Sequence, residues 1–244
     1  GASTNTLQLT VGRSDSKFPN ASGFDAGKAE ARRIVAFVDT VEAGPFTARL
    51  SVGEARLTIA AYRQLFDGFR MFGPPGEAIA ERYGVDDRRA TFLGVSASYD
   101  PGTWFATGEW ARFDTHSVVG KRSAWYLSAG PRIGKLTPYA TYARIKAESP
   151  SSDPGVSIAG LPPEIAGLGQ LLNVTLNRQL GALPQQSTVS IGVRWDFLRN
   201  AALKLQLDQV RVGSRSHGTF GNVQPDFPTG AKVNVISAAV DFVF

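Results

Sequence analysis

Cysteine is absent from the 244 residues of this chain, which contain only two histidines and one methionine. Without cysteine there can be no disulfide scaffold and no thiolate metal site. No run of roughly eighteen uncharged apolar residues occurs, so the sequence predicts no transmembrane helix. No signal peptide is visible before Gly1, so export requires that a leader has been removed. If this chain crosses a membrane, it has to do so with strands.

Charge is sparse. Charged residues make up 19% of the chain, hydrophobic ones 43%, and the formal net charge is +5. This balance is too apolar for a disordered chain. A basic chain suits nucleic acid, an acidic surface or an anionic solute. The lysines and arginines are spread over nearly every segment and do not cluster with aromatic residues on one face, so we expect no nucleic-acid partner.

The sequence carries no motif for catalysis or for cofactor binding. His116 and His217 fall far apart in predicted loops. Ser117 follows His116 directly, but neighbours in sequence rarely form a nucleophile and its base. The Gly167-x-Gly169 pair lacks the third glycine of a dinucleotide fingerprint. We therefore expect no enzyme activity, no cofactor and no metal site.

Strand-like alternation of apolar and polar residues recurs along the whole chain. It is clearest at the end, where Ile236, Val240 and Phe244 share one side and Ser237 and Asp241 share the other. Ten strands are predicted, at residues 5–13, 33–43, 45–55, 90–99, 103–113, 123–134, 137–147, 187–197, 202–212 and 231–244.

The links between these strands alternate between short and long. The short ones are Ala43-Gly44-Pro45, Asp100-Pro101-Gly102, Gly134-Lys135-Leu136 and Leu198-Arg199-Asn200-Ala201, rich in turn-forming residues. The long ones are 14–32, 56–89, 114–122, 148–186 and 213–230. Outer-membrane barrels have short periplasmic turns and longer extracellular loops. The pattern predicts an all-β fold, an antiparallel transmembrane β-barrel of about ten strands, forming one domain over residues 1–244.

Aromatic residues gather beside the short turns, and the last residue is aromatic too. Rings with a polar edge concentrate at membrane interfaces, so we predict a girdle there. Its members are Phe46, Tyr99, Trp104, Tyr139, Trp195, Phe197 and Phe244. The alternative is that these rings plug the ends of a soluble barrel.

Three segments, VNVISAAVDFVF, WYLSAGPRIGKLTPYATYARI and STVSIGVRWDF, resemble the Gram-negative outer-membrane porins, and the carboxyl-terminal portion of one in particular. The resemblance implies a bacterial outer-membrane location, contact with lipid and lipopolysaccharide, and a homotrimer. It also implies assembly by the barrel-assembly machinery through the carboxyl-terminal strand. Porins of this kind have about sixteen strands, so ten strands either close a small barrel alone or form the later part of a larger one.

On the side opposite the apolar stripe, arginine is frequent. The candidate pore-lining residues are Arg49, Arg132, Arg144, Lys146, Arg194, Asp196, Lys204 and Asp208. A cationic ladder lowers the entry barrier for anions. The alternative is that these arginines pair with carboxylates across strands and only brace the wall.

Helical patterns interrupt two of the long links. Ile59, Tyr62, Phe66 and Phe69 recur at helical spacing within 56–73, and a short helix follows from Glu77 to Tyr83. Pro162-Pro163 opens a third helix, closed by Gly181, whose apolar face is formed by Ile165, Leu168, Leu172, Leu176 and Leu180. We expect these helices to fold into the barrel mouth, the alternative being that they pack on another loop or subunit.

The function predicted from these features is that of an outer-membrane porin. It would form a water-filled channel for passive diffusion of small hydrophilic solutes, with a modest preference for anions. Within membranes, the alternative is a plugged structural or adhesin-type barrel. Outside membranes, it is a soluble β-barrel that binds an apolar ligand.

Overall fold

The computed structural model describes residues 3–18, 27–214, 216–221, 227 and 229–243. These residues form ten strands, one for each predicted strand. The strands are β1 (Ser3–Phe18), β2 (Gly27–Ala43), β3 (Phe46–Ile59), β4 (Arg88–Tyr99), β5 (Trp104–Asp114), β6 (Lys121–Pro131), β7 (Leu136–Ala147), β8 (Gln186–Leu198), β9 (Ala201–Val212) and β10 (Lys232–Phe242). The predicted all-β class is therefore confirmed.

The strands form one antiparallel sheet in chain order, from β1 to β10. Four short turns join β2 to β3, β4 to β5, β6 to β7 and β8 to β9, and three of them hold a glycine with positive φ, Gly44, Gly102 and Gly134. We call this side of the sheet the turn end and the other the helix-bearing end. Among the described residues, β1 pairs only with β2 and β10 only with β9, so both are edges.

The pairing register assigns every strand residue to one of two faces, because directly paired residues share a face. One face runs from Ile236 through Leu207 and Ile191 to Ala140 and continues to β1. We call it the apolar face. Its large side chains include Leu7, Leu9, Phe37, Leu50, Val52, Val95, Trp110, Leu127, Val189, Leu205 and Val240, all exposed. The opposite, polar face is rich in Ser, Thr, Gln and charged residues.

The burial of its side chains indicates that the polar face is the concave side of the sheet. On β8, Ser190 of the polar face is buried, whereas its neighbours Val189 and Ile191 on the apolar face are 50% and 58% exposed. Side chains converge on the inner side of a curved sheet and spread apart on the outer side. A convex apolar wall around a concave polar interior is the arrangement of a transmembrane barrel.

Three helices lie in two of the long links. α1 (Arg63–Arg70) follows a 3₁₀ turn at Ala60–Tyr62, and α2 (Pro74–Tyr83) begins with a proline at its first turn. α3 (Pro163–Gly181) lies between β7 and β8, as predicted, but its C-cap is Ala182 and Gly181 is its last helical residue. Ile59 ends β3 and is not part of a helix. No helix among the described residues is long and apolar enough to cross a membrane.

The helices bury their apolar sides against one another and against adjoining loops. We call this cluster the helix core. It consists of Phe66, Phe69, Ile79, Ala80, Tyr83, Val85, Val118, Val156, Leu172, Leu176 and Leu180. Leu57 and Ile59 also pack against it, and both lie on the polar face at the helix-bearing end of β3. Helix packing on another loop therefore occurs, and it occurs beside the inner face of the sheet. In the predicted apolar stripe of α3, Ile165 is the one exposed member, with 47% of its surface accessible.

Candidate pore-lining face

The middle of the polar face carries a row of residues across four neighbouring strands. Arg49 on β3 pairs with Ser96 on β4, which pairs with Glu109 on β5, which pairs with Tyr126 on β6. Among the described residues, neither Arg49 nor Glu109 forms an ion pair within 4.0 Å. The row therefore presents one cation and one anion to the concave side, two strands apart.

Tyr139 lies across the polar face farther round the sheet. Gly130 and Gly192, its neighbours on β6 and β8, leave the space that its ring needs, since a Cβ at Gly192 would overlap the Tyr139 hydroxyl. That hydroxyl donates to Gln206 Oε1 on β9 at 2.7 Å, so the side chain spans β8 completely. Lys204 Nζ lies 5.2 Å from the centre of the ring, in a cation–π contact.

Nearer the turn end, Arg194 and Arg132 are paired with carboxylates. Arg194 Nε donates to Asp196 Oδ1 at 2.9 Å, and its Nη1 donates to Asp241 Oδ2 at 3.3 Å, reaching over β9. Arg132 makes a two-pronged contact with Asp100 in the β4–β5 turn, Nη2 to Oδ2 at 2.6 Å. That hydrogen bonding lowers the pKa of the Asp100 carboxyl. Arg132 and Arg194 therefore have carboxylate partners, and the interpretation that they only brace the wall stays a prediction.

The register places most of the predicted pore-lining residues on the polar face. Arg49, Arg194, Lys204 and Asp208 lie on polar-face positions of their strands. Arg132 and Asp196 reach the same side, in a cavity of about 300 Å³ that they share with Ser98, Thr107, Thr137 and Arg194. Whether these residues line a conducting pore stays a prediction.

The placement of Arg144 and Lys146 on the inner face is wrong. Arg144 pairs with Trp125 on β6, and Lys146 pairs with Ser123, so both lie on the apolar face with Tyr142. The expectation that Tyr139 belongs to the girdle is wrong for the same reason. All three errors come from one inverted strand, β7, because assigning a strand the wrong parity moves every side chain to the other face.

Phe46, Tyr99, Trp104 and Trp195 of the predicted girdle lie on the apolar face at the turn end, and Phe197 falls in the irregular register after Trp195. Phe46 and Tyr99 have ring centroids 4.5 Å apart, and Tyr99 and Trp104 5.1 Å. Trp195 contacts Phe197 with centroids 5.6 Å apart. Phe244 lies outside the described residues.

A second aromatic group, missed from the sequence, lies nearer the helix-bearing end. Trp110 pairs with Trp125, and the Trp125 and Tyr142 rings are 5.2 Å apart, on the same apolar face. The sequence alone does not reveal this group, because its three residues belong to three strands and are brought together only by the pairing register. On β4, the stripe from Tyr99 to Arg89 covers roughly 25 Å along the axis of a tilted barrel. The face therefore carries an apolar band between aromatic residues, capped by charge.

The helix core packs against the helix-bearing end of β3 and is held together by polar contacts. Asp153, buried, accepts hydrogen bonds from Tyr83 Oη at 2.8 Å and Arg82 Nη1 at 3.2 Å. Burial, aided by the Asp153 contact, raises the pKa of Tyr83. Asn173 and Asn177 on α3 each exchange two hydrogen bonds with the backbone of residues 153–156. The arrangement fixes the loop against the helix.

No grouping of three or more His, Asp or Glu side chains able to hold a metal ion occurs in the described part of the chain. His116 is exposed in the β5–β6 loop, where its Nδ1 lies 3.2 Å from Asp114 Oδ1. His217 makes an edge contact with Phe227, their rings 5.9 Å apart.

Comparison with solved structures finds porins. The anion-selective porin from Comamonas acidovorans is 13% identical, with a TM-score of 0.49, over 94% of this chain and 58% of that one. OmpF of Salmonella typhi, in a complex with daunomycin, is 10% identical, with a TM-score of 0.47, over 94% of this chain and 61% of that one. This chain thus spans about three fifths of either porin. No protein-family model matches it, and no curated protein is similar to it in sequence. The structural neighbours of the chain are therefore Gram-negative porins, as the sequence motifs predicted.

Proposed function

We propose that this chain forms a porin-type channel of the bacterial outer membrane, through which small hydrophilic solutes diffuse passively with a modest preference for anions. The observation that carries the proposal is the division of the sheet into a convex apolar face and a concave polar face. Large apolar side chains exposed over so many strands cost a soluble protein roughly 25 cal/mol for each Å² of apolar surface left in water. Contact of these side chains with the hydrocarbon of a membrane removes that free-energy cost.

A channel of this kind requires that both edges of the sheet be paired inside the membrane. Unpaired backbone N–H and C=O groups of β1 and β10 would each cost several kcal/mol in hydrocarbon. The edges are therefore joined to each other or to further strands in the working barrel. Homotrimer formation and contact with lipopolysaccharide remain proposals from the resemblance to porins.

The proposed anion preference depends on the polar-face cations that have no carboxylate partner. Arg132 and Arg194 are neutralised by Asp100, Asp196 and Asp241, so they contribute little field to a passing ion. Among the predicted pore-lining cations that lie on the polar face, Arg49 and Lys204 have no carboxylate within 4.0 Å in the described residues. Glu109 lies in the same row as Arg49 and opposes it, which is why the preference is modest.

The helix core supplies a constriction in this proposal. Leu57 and Ile59, on the polar face at the end of β3, pack against it, which supports a position of the helices at the mouth of the channel. Width at the mouth and charge in the interior are then the two determinants of which solutes pass.

The test is single-channel conductance in a planar bilayer under a salt gradient. We expect a conducting channel whose reversal potential shows anion preference. Replacing Arg49 and Lys204 together by Gln should move the reversal potential toward cation preference. The matched control, Arg56→Gln with Arg89→Gln, removes two charges from the apolar face of neighbouring strands and should leave selectivity unchanged.

Two results would contradict the proposal. A folded, membrane-inserted chain that does not conduct would support the plugged barrel. Cation preference of the unmodified chain would show that Glu109 and the other carboxylates of the polar face dominate the field.

A further inference from the structure

A row of hydroxyl side chains crosses the polar face near the turn end. Direct cross-strand pairs join its members through neighbouring strands from β3 to β8. The members are Thr47, Ser98, Thr107, Ser128, Thr141 and Ser190. We call them the hydroxyl row. The row itself carries no charge, and a carboxylate lies beyond each end, Glu42 beside Thr47 and Asp208 beside Ser190.

Most hydroxyls of this row are not used to hold the strands together. Cross-strand hydroxyls can stabilise a sheet by bonding to each other, and Thr141 Oγ1 donates to Ser128 Oγ at 2.7 Å in this way. Among the described residues, the hydroxyls of Ser98 and Thr107 have no hydrogen-bond partner in the chain, and neither does that of Thr137 on β7. All three side chains are half-buried. These hydroxyls are therefore available to a molecule that enters the interior.

The three unpartnered hydroxyls meet in one recess. Ser98, Thr107 and Thr137 line the cavity of about 300 Å³ on the polar face, together with Phe105. We call this cavity the hydroxyl recess. Its volume lies at the lower end of the range for ligand pockets, about 300–1,000 Å³, so it suits a small solute.

Two ion pairs also line the hydroxyl recess. Arg132 pairs with Asp100 and Arg194 with Asp196, and Arg194 contacts Asp241 outside the recess as well. Both cations of the recess thus have carboxylate partners, and no excess of positive charge is left to hold an anion. An arginine has more N–H donors, and a carboxylate more acceptor positions, than one contact between them uses. Each ion pair therefore retains hydrogen-bonding groups for an uncharged ligand.

Phe105 adds an apolar surface beside these polar groups. Its ring is half-buried, and the guanidinium carbon of Arg132 lies 5.7 Å from the ring centre. A solute that forms hydrogen bonds around its edge and packs an apolar side on an aromatic ring is complementary to both surfaces. Small sugars have this chemistry, because their hydroxyl groups surround a ring whose faces carry C–H groups.

We propose that the hydroxyl recess is a saturable binding site for a small, uncharged, polyhydroxylated solute, a sugar of one ring. The inference deepens the proposed function and rests on it, because such a solute reaches the recess through the channel. Passive diffusion alone requires no binding site on the wall. The rest of the hydroxyl row, from Ser128 to Ser190, continues from the recess along the same face and offers further hydrogen bonds to the solute.

The test is saturation-transfer NMR of the full chain with D-glucose, in a detergent without a sugar headgroup. We expect saturable glucose binding. The triple variant Ser98→Ala, Thr107→Val, Thr137→Val removes the three hydroxyls but keeps every charge and nearly the same volume. It should bind glucose at least tenfold more weakly. Its ion conductance in a planar bilayer should equal that of the unmodified chain, which shows that the variant folds.

The matched control is Thr6→Val, Thr40→Val, Ser51→Ala. It removes three hydroxyls from the polar face of β1 to β3, outside the recess, and its glucose affinity should stay within twofold of that of the unmodified chain. A loss in the control equal to that in the triple variant would overturn the site.

Glucuronate distinguishes a hydroxyl site from an anion site, since it has the same ring with one carboxylate. It should bind no more tightly than glucose. Binding at least tenfold tighter would show that Arg132 and Arg194 select an anion, and would overturn the assignment to an uncharged solute.

Further outcomes separate this inference from the proposed function. An unmodified chain that conducts but does not bind glucose would contradict the inference alone, and so would unchanged glucose binding by a conducting triple variant. A folded, membrane-inserted chain that binds glucose but does not conduct would contradict the proposed channel and leave the binding site standing.

Discussion

At the scale of single residues, the face on which an aromatic side chain lies can depend on glycines in the neighbouring strand. The alternation of apolar and polar residues does not reveal this dependence. Tyr139 follows a short turn, as the girdle aromatics do, but it lies over Gly192 on the polar face and donates to Gln206. The stripe of β7 that contains Tyr139 is mixed, and so is the stripe that contains Tyr142 and Arg144. Alternation alone could not decide which stripe is apolar, because that choice is made by pairing with β6 and β8.

Gly192→Ala should destabilise the folded chain, because the new methyl group overlaps the Tyr139 hydroxyl and the ring must give up its bond to Gln206. We expect a loss of about 1–3 kcal/mol, measured by urea unfolding in detergent. The control, Gly53→Ala, places a methyl group at an ordinary 3.4 Å from Ala36 Cβ and should cost less. In a Tyr139→Ala background, Gly192→Ala should become nearly neutral; an unchanged cost there would refute the role of the ring.

At the scale of elements, all ten strands were predictable, because period-two alternation and turn residues are local signals. The start of α3 after Pro162-Pro163 was also predictable. Its burial was predictable only in part. Leu172, Leu176 and Leu180 point into the helix core, but the choice of partners there, such as Val118 from the β5–β6 loop, depends on contacts between residues distant in sequence.

The double variant Asn173→Ala, Asn177→Ala should loosen the loop at residues 153–156 without unfolding α3. Each asparagine satisfies a backbone N–H and a backbone C=O of that loop, at 2.8–2.9 Å. Each lost hydrogen bond contributes about 1 kcal/mol. We expect hydrogen exchange of the Asp153 and Val156 amides to accelerate at least tenfold.

The control for this loop is Thr175→Ala. The Thr175 hydroxyl donates only to Leu171 O within α3, so its removal should leave those two amides unaffected. Equal protection of the amides in the double variant and in the unmodified chain would mean that the helix core alone holds the loop.

At the scale of the whole molecule, one division organises the sheet. The apolar face has its aromatic residues toward both ends and charge beyond them, while on the polar face Arg132 and Arg194 pair with carboxylates and Arg49 and Lys204 have none within 4.0 Å among the described residues. The sequence pattern predicted this division into two faces, but the ion-pair partners of each charged residue could be identified only from the strand register. Arg144 was expected to face the interior and instead lies on the apolar face.

The most direct test of the division uses the absence of cysteine, since any introduced cysteine is the only one in the chain. Single cysteines would replace residues of β9, on the apolar face Leu203, Leu205 and Leu207, and on the polar face Lys204, Gln206 and Asp208. Each would carry an environment-sensitive fluorophore in a reconstituted bilayer. The two quenchers are nitroxide-labelled acyl chains and aqueous iodide.

The account predicts alternation along β9. Probes at the three leucines should be quenched by the nitroxide lipid and not by iodide, and probes at the three polar residues should show the reverse. Quenching of the leucine positions by neither reagent, as in a protein that buries this face in its own core, would contradict the account.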